Sequence, residues 1–130
     1  MYSHEYCDEL EKGWLTFSDL LIHSNNYRDA EEVLQKCLKY NFNCGKAEEY
    51  LGMIYEKNKE LENASMHYQK AWDLNRGKAP TVGYRLASIH LKTKNFVQCI
   101  EVCKKVLETY PDFAKIEKEV YSKARGSLRP

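Results

Sequence analysis

Along this chain apolar side chains return every three or four residues, in stretches of about fourteen separated by short polar breaks. The first stripe carries Trp14, Leu15, Phe17, Leu20, Leu21 and Ile22 and stops at Asn25-Asn26. Later stripes stop at Asn43-Cys44-Gly45, Asn58-Lys59, Arg76-Gly77 and Lys94-Asn95. Such spacing puts apolar groups on one side of a helix, and no stretch shows the strict alternation of a half-buried strand. The breaks are rich in Asn and Gly, the residues that most readily turn a chain. The pattern therefore predicts helices over 11–24, 27–40, 46–58, 61–75, 80–93, 96–109 and 112–125. Tyr2 to Leu10 reads as a frayed start or the stub of a preceding helix. Pro80 suits the first helical position, where a missing N–H costs nothing, and Asp112 is expected to cap the last helix.

A longer period overlies the short one. Trp14-x2-Phe17-Ser18-x2-Leu21 aligns with Glu48-x2-Leu51-Gly52-x2-Tyr55 and with Gly83-x2-Leu86-Ala87-x2-His90, at steps of 34 and 35 residues. Downstream in each copy come Ala30, Ala64 and Cys99, then Leu34, Tyr68 and Cys103, then Cys37, Ala71 and Val106, and Pro111 ends the third copy. This is the spacing of the tetratricopeptide (TPR) repeat. Small residues (Ser18, Gly52, Ala87; Ala30, Ala64, Cys99) mark the places where two helices approach closely, and bulky ones fill the groove between them. The expected core is Trp14, Ala30, Leu51, Gly52, Tyr55, Ala64, Tyr68, Ala71, Leu86, Ala87, Cys99, Cys103 and Pro111. The expected architecture is an all-α TPR α-solenoid forming one domain over 1–130. It has three helix-turn-helix repeats, about 11–44, 45–79 and 80–111, and a capping helix about 112–125.

Composition narrows the classes further. The chain is 43% hydrophobic and 30% charged, and its 20 Lys+Arg against 19 Asp+Glu exclude a generically basic nucleic-acid binder. No apolar run approaches the roughly 20 residues that span a bilayer, and Met1 to Lys12 does not resemble a secretory signal, so a cytosolic chain is expected. The near-neutral total hides a split. Residues 1–65 hold 13 acids and 7 bases, net −6, whereas residues 66–130 hold 6 acids and 13 bases, net +7. A rod polarised in this way favours oriented or head-to-tail contact.

Residues 47 to 130 also resemble one family, the carboxyl end of the long TPR-array subunit of intraflagellar transport complex A (the tetratricopeptide repeat protein 21 family). The likeness lies in Glu49-Tyr50-Leu51-Gly52-Met53-Ile54-Tyr55-Glu56-Lys57, Tyr68-Gln69-Lys70-Ala71-Trp72, Val82-Gly83-Tyr84-Arg85-Leu86-Ala87 and Leu91-Lys92-Thr93-Lys94, and in the ending Lys123 to Pro130. A generic TPR demands neither Ala71-Trp72, Val82-Gly83-Tyr84 nor the closing Ser127-Leu128-Arg129-Pro130, so these carry the specificity. The resemblance implies a non-enzymatic scaffold of retrograde ciliary transport, found at the ciliary base and axoneme. Its partners would be other subunits of the complex or ciliary cargo. The family is a very long array, so a chain of three repeats reads as its C-terminal end. The rival reading is a free-standing TPR adaptor that holds a short peptide.

Candidate chemistry is sparse. Five cysteines, Cys7, Cys37, Cys44, Cys99 and Cys103, include no CxxC pair and read as reduced thiols. His90, Cys99 and Cys103 are the sharpest metal-like set, but all three occupy packing positions and lack a fourth ligand. No metal and no cofactor is expected. Nucleophile elbow, phosphate loop and HExxH are all missing, so no enzyme is expected either.

What remains is the concave wall formed by the first helix of each repeat. Its register exposes Lys46, Glu49, Met53, Lys57, Tyr84, Arg85, Ser88 and Lys92 as partner-binding candidates, with Leu15, Asp19 and Glu56 beside them. The carboxylate clamp of chaperone-binding TPRs needs Lys and Asn where this chain has Leu15, Asp19, Glu49 and Met53. No nucleic acid and no membrane insertion is expected. An apolar surface on the first helix and the segment before it, with Tyr6, Leu10, Trp14 and Phe17, is expected either to promote self-association or to be covered by Tyr2 to Leu10 folding back over it.

Overall fold

A computed structural model describes the backbone of residues 4–128 and the side chains of residues 9–127. Tyr2, the Tyr6 side chain and the last two residues, Arg129 among them, lie outside these limits. The described residues form helices only. They are α1 (His4–His23), α2 (Tyr27–Tyr40), α3 (Gly45–Lys57), α4 (Leu61–Leu74), α5 (Pro80–Lys92), α6 (Phe96–Thr109) and α7. Helix α7 comprises Ala114–Ile116, one widened turn over Glu117–Tyr121 and Ser122–Leu128. Helices pack as α1 on α2, α3 on α4 and α5 on α6, and α7 closes the stack against α6. This is the expected all-α solenoid.

Two ends differ from the sequence reading. Helix α1 is described from His4 and passes through Leu10 without a break, so residues 4–10 are no separate stub, while Tyr2 and Ser3 lie outside the described residues. Residues 4–12 contain neither Gly nor Pro, and nothing stops a helix there. Asp112 does not cap α7. It lies in the preceding turn, where its carbonyl accepts the Ala114 N–H at 2.8 Å, and Phe113 holds the cap position without a side-chain bond. The widened turn has a packing reason. Ile116, Val120 and Ala124 are all buried, yet steps of four drift about 40° each around a regular helix. An extra residue in the turn absorbs part of that drift. The Ser122 hydroxyl donates to the Glu117 carbonyl at 3.0 Å and helps satisfy the displaced group.

The turn inside each pair is the same three times. Asn25, Lys59 and Lys94 adopt φ of 62°, 64° and 64°. The next N–H reaches back five residues, Asn26 to Leu21 at 2.8 Å, Glu60 to Tyr55 at 2.9 Å and Asn95 to His90 at 2.8 Å. That is a Schellman closure, made here without glycine.

Glycine is needed where rings sit on backbone. A Cβ on Gly52 would lie 2.7 Å from the Tyr68 ring, and one on Gly83 would strike the Val106 side chain and come 2.8 Å from Trp72. In α1 the matching position is Ser18, fully buried, whose hydroxyl donates to the Trp14 carbonyl at 2.8 Å. Two cores result. One gathers Ile22, Ala30, Leu34, Cys37, Cys44, Ala47, Leu51 and Ile54. The other runs from Ala64, Tyr68, Ala71 and Trp72 through Leu86, Ala87, Cys99 and Cys103 to Val120 and Ala124. Tyr55 packs against both. Of the expected core, Trp14 and Tyr55 are half-buried, and Pro111 is exposed. Pro111 ends α6 and its turn without entering the core. On α1, Leu10 is half-buried and Trp14 meets Tyr40 edge-on at 5.3 Å, so the open apolar surface is Phe17 and Leu20.

Candidate partner-binding groove

The first helices of the pairs, α1, α3 and α5, line up their inner faces, and the turns after α1 and α3 form one rim. Two hollows lie along this face. The larger, about 830 Å³, is lined by Ile22, His23 and Asn25 from α1 and its turn, by Met53, Glu56, Lys57, Lys59 and Leu61, and by Arg85 and Lys92. The smaller, about 530 Å³, continues along α5 with Thr81, Tyr84 and Ser88, and meets Phe113 and Lys115 at the start of α7. Glu56, Arg85 and Lys92 line both and join them.

Fixed charge pairs hold this wall in shape. Glu56 accepts from the Tyr68 hydroxyl at 2.7 Å and from Lys92 Nζ at 3.4 Å. Burial, with the Glu56 carboxylate beside it, pushes the Tyr68 phenol well above its usual range, so it remains a donor. Tyr84 donates to Glu119 at 2.6 Å, which raises its pKa, and Lys115 Nζ stands 4.8 Å from the centre of the Tyr84 ring. Around the rim, Lys57, Lys59 and Lys92 are exposed. The groove thus offers a polar, predominantly basic edge over a floor that includes Met53, Ile22 and Leu61.

Placement of the sequence candidates is uneven. Met53, Lys57, Tyr84, Arg85, Ser88 and Lys92 come together in the two hollows. Lys46 and Glu49 line neither. Glu49 corrects the expectation of an exposed residue: it is 6% exposed and lies 3.4 Å from Lys46 Nζ and 3.6 Å from Arg85 Nε. Its neighbour Glu48 is buried too, 2.7 Å from His67 Nδ1, so α3 turns two carboxylates inward. The sequence reading missed Asn25 and Lys59, whose left-handed turns place them on the rim, and Phe113 and Lys115, which only the fold of α7 brings to the groove.

The metal-like cysteines also sort differently. Among the described residues, one set of three potential ligands comes within 4.8 Å of one another, and it is Glu11, Cys37 and Cys44, not His90, Cys99 and Cys103. His90 is 8% exposed, its Nδ1 has no hydrogen-bond partner, and burial lowers its pKa. Cys99 and Cys103 are fully buried in apolar surroundings.

Comparison with known proteins follows from this geometry. A family model described as the tetratricopeptide repeat protein 21 C-terminal ARM domain matches residues 1–125. Human tetratricopeptide repeat protein 21B is 44% identical over 123 residues, 95% of this chain and 9% of that protein. The Caenorhabditis elegans tetratricopeptide repeat protein 21 homolog is 38% identical over 129 residues, 99% of this chain and 10% of that protein. The chain therefore spans about a tenth of the length of these relatives. Among solved structures, the first TPR of Spaghetti (RPAP3) bound to an HSP90 peptide superposes with a TM-score of 0.82. The match covers 92% of this chain and 96% of that one at 15% identity, a likeness of fold alone.

Proposed function

The chain belongs to the tetratricopeptide repeat protein 21 family, and from that premise we propose that it serves as a non-enzymatic scaffold within intraflagellar transport complex A. In this reading residues 1–130 are one unit of three repeats closed by a capping helix. The unit works at the ciliary base and along the axoneme, in retrograde transport. Its groove receives a segment of a neighbouring subunit or of cargo, and stacked helices hold that segment at a fixed place. The observation that supports this reading is the continuous hollow across α1, α3 and α5, with apolar floor and charged rim. Such a lining suits a helix or extended segment that buries a few apolar anchors and pairs its charges at the edge.

Charge reversal on the rim tests the proposal. Lys57→Glu with Lys59→Glu, both exposed on the rim of the larger hollow, should leave helicity unchanged and abolish co-purification of complex A subunits from ciliated cells. Retention of those subunits by the folded double variant would remove the groove from the interaction.

A further inference from the structure

Among the described residues the fold buries two cysteine pairs, and one of them meets a third donor. Cys37 lies in the last turn of α2 and Cys44 just before α3, with their sulfurs 3.9 Å apart and both side chains buried. Glu11, from α1, brings a carboxylate oxygen within 4.8 Å of both sulfurs. We propose that Glu11, Cys37 and Cys44 form a divalent-metal site for which zinc is the fitting ion, tying α1 to the α2–α3 turn.

The spacing supports this. Two thiolates about 2.3 Å from a tetrahedral zinc lie about 3.8 Å apart, close to the separation already present. The donor set, two sulfurs and one oxygen, is that of a borderline-soft ion and unlike the all-oxygen shells of calcium or magnesium. An outer support exists as well. Asn41 Nδ2 stands 3.4 and 3.5 Å from the two carboxylate oxygens of Glu11, and Asn41 Oδ1 accepts the Asn43 N–H at 3.1 Å. Such a contact orients a ligating carboxylate. Binding displaces the two thiol protons to solvent, so two thiolates and one carboxylate surround a dication, and water completes the shell at the half-buried Glu11 edge. The other pair offers none of this. Cys99 and Cys103 lie one helical turn apart in the core that holds Tyr68, Leu86 and Val106, and no carboxylate of the described residues joins them in a set of three ligands.

Metal titration of the reduced, metal-free chain decides the matter. Zinc added against a chromophoric chelator should be taken up at one equivalent, and should raise the melting temperature by mass action. Cobalt(II) in its place should give sulfur-to-metal charge-transfer absorption and the visible bands of a tetrahedral ion. Cys37→Ser should weaken binding by more than the roughly 10–100-fold that loss of a supporting residue costs. Glu11→Gln keeps both thiols and the fold, so it carries the test if the serine variant fails to fold, and it should weaken zinc about tenfold or more. Cys99→Ala with Cys103→Ala should bind as the parent does. The site is overturned if the folded parent shows no thiolate–cobalt absorption. Parental affinity in Glu11→Gln, or signals that vanish only with Cys99 and Cys103, would overturn it equally.

Discussion

The two cores use the same repeat pattern and reach different packing. In the C-terminal one, aromatic rings rest directly on glycine, Tyr68 on Gly52 and Trp72 on Gly83, and the interior holds one imidazole without a partner. In the N-terminal one the crossing residue is Ser18, which satisfies itself on its own helix, and Gly13 meets nothing within 4 Å. One core is close-fitted around missing side chains. The other is built from Leu34, Leu51 and Ile54 and leaves its cysteines beside a carboxylate. A shared spacing thus fixes where helices cross without fixing how closely they fit.

The harshest way to test the close-fitted half is to force a charge into it. Ala64 has no exposed surface, so Ala64→Glu should cost roughly 3–5 kcal/mol, as an uncompensated buried charge does, and should nearly abolish cooperative unfolding. Glu60→Ala, on the adjoining turn and without a capping bond, should stay within about 0.5 kcal/mol in the same urea titration.

Adding one methyl group separates the halves more finely. Gly83→Ala drives a carbon into Val106 and Trp72, and Gly52→Ala into Tyr68, all buried groups with little freedom to move. Each should lose about 1–3 kcal/mol by overpacking, more than alanine's helix propensity returns.

A pH series addresses the lone imidazole. Burial lowers the pKa of His90 below 6.5, so the unfolded chain takes up a proton at this residue before the folded chain does. Its contribution to stability is therefore present above pH 6.5 and is lost as pH falls through the lower folded value. His90→Tyr takes the residue that stands at the matching place of α3, and its stability should fall less than that of the parent between pH 7 and pH 5, measured by urea unfolding at each pH. The smallest effect belongs to the open position. Gly13→Ala should raise stability by about 0.5–1 kcal/mol, because the helix gains propensity and nothing is crowded.

Helix number and most bounds were readable because apolar period and turn residues agreed. The spans 27–40 and 96–109 match α2 and α6, α3 is shifted by one residue at both ends, and α4 and α5 each end one residue early. The start of α1 was hidden because the repeat pattern begins only at Trp14, although His4 to Lys12 has no residue that would break a helix. The widened turn in α7 left no local mark, since it answers the need to bury Ile116, Val120 and Ala124 together. Much of the groove followed from register on α3 and α5. Glu49 was misread because register assigns a face but cannot say that Lys46 and Arg85 will close over it. The cysteines show the same limit. An i,i+4 pair drew attention to Cys99 and Cys103, whereas the pair with a third donor nearby is set seven residues apart across a helix end and needs a glutamate from α1.

The recurring turn at Asn25, Lys59 and Lys94 has a mechanical consequence. Three identical backbone closures make each helix pair a stiff block whose internal angle is set by main-chain hydrogen bonds. Helices within a pair also touch more extensively than helices of adjacent pairs. Compliance is therefore concentrated at the seams. Under load such a rod flexes between blocks, as a leaf spring does between its plates, and a pull along its axis would open a seam between neighbouring pairs before any pair comes apart.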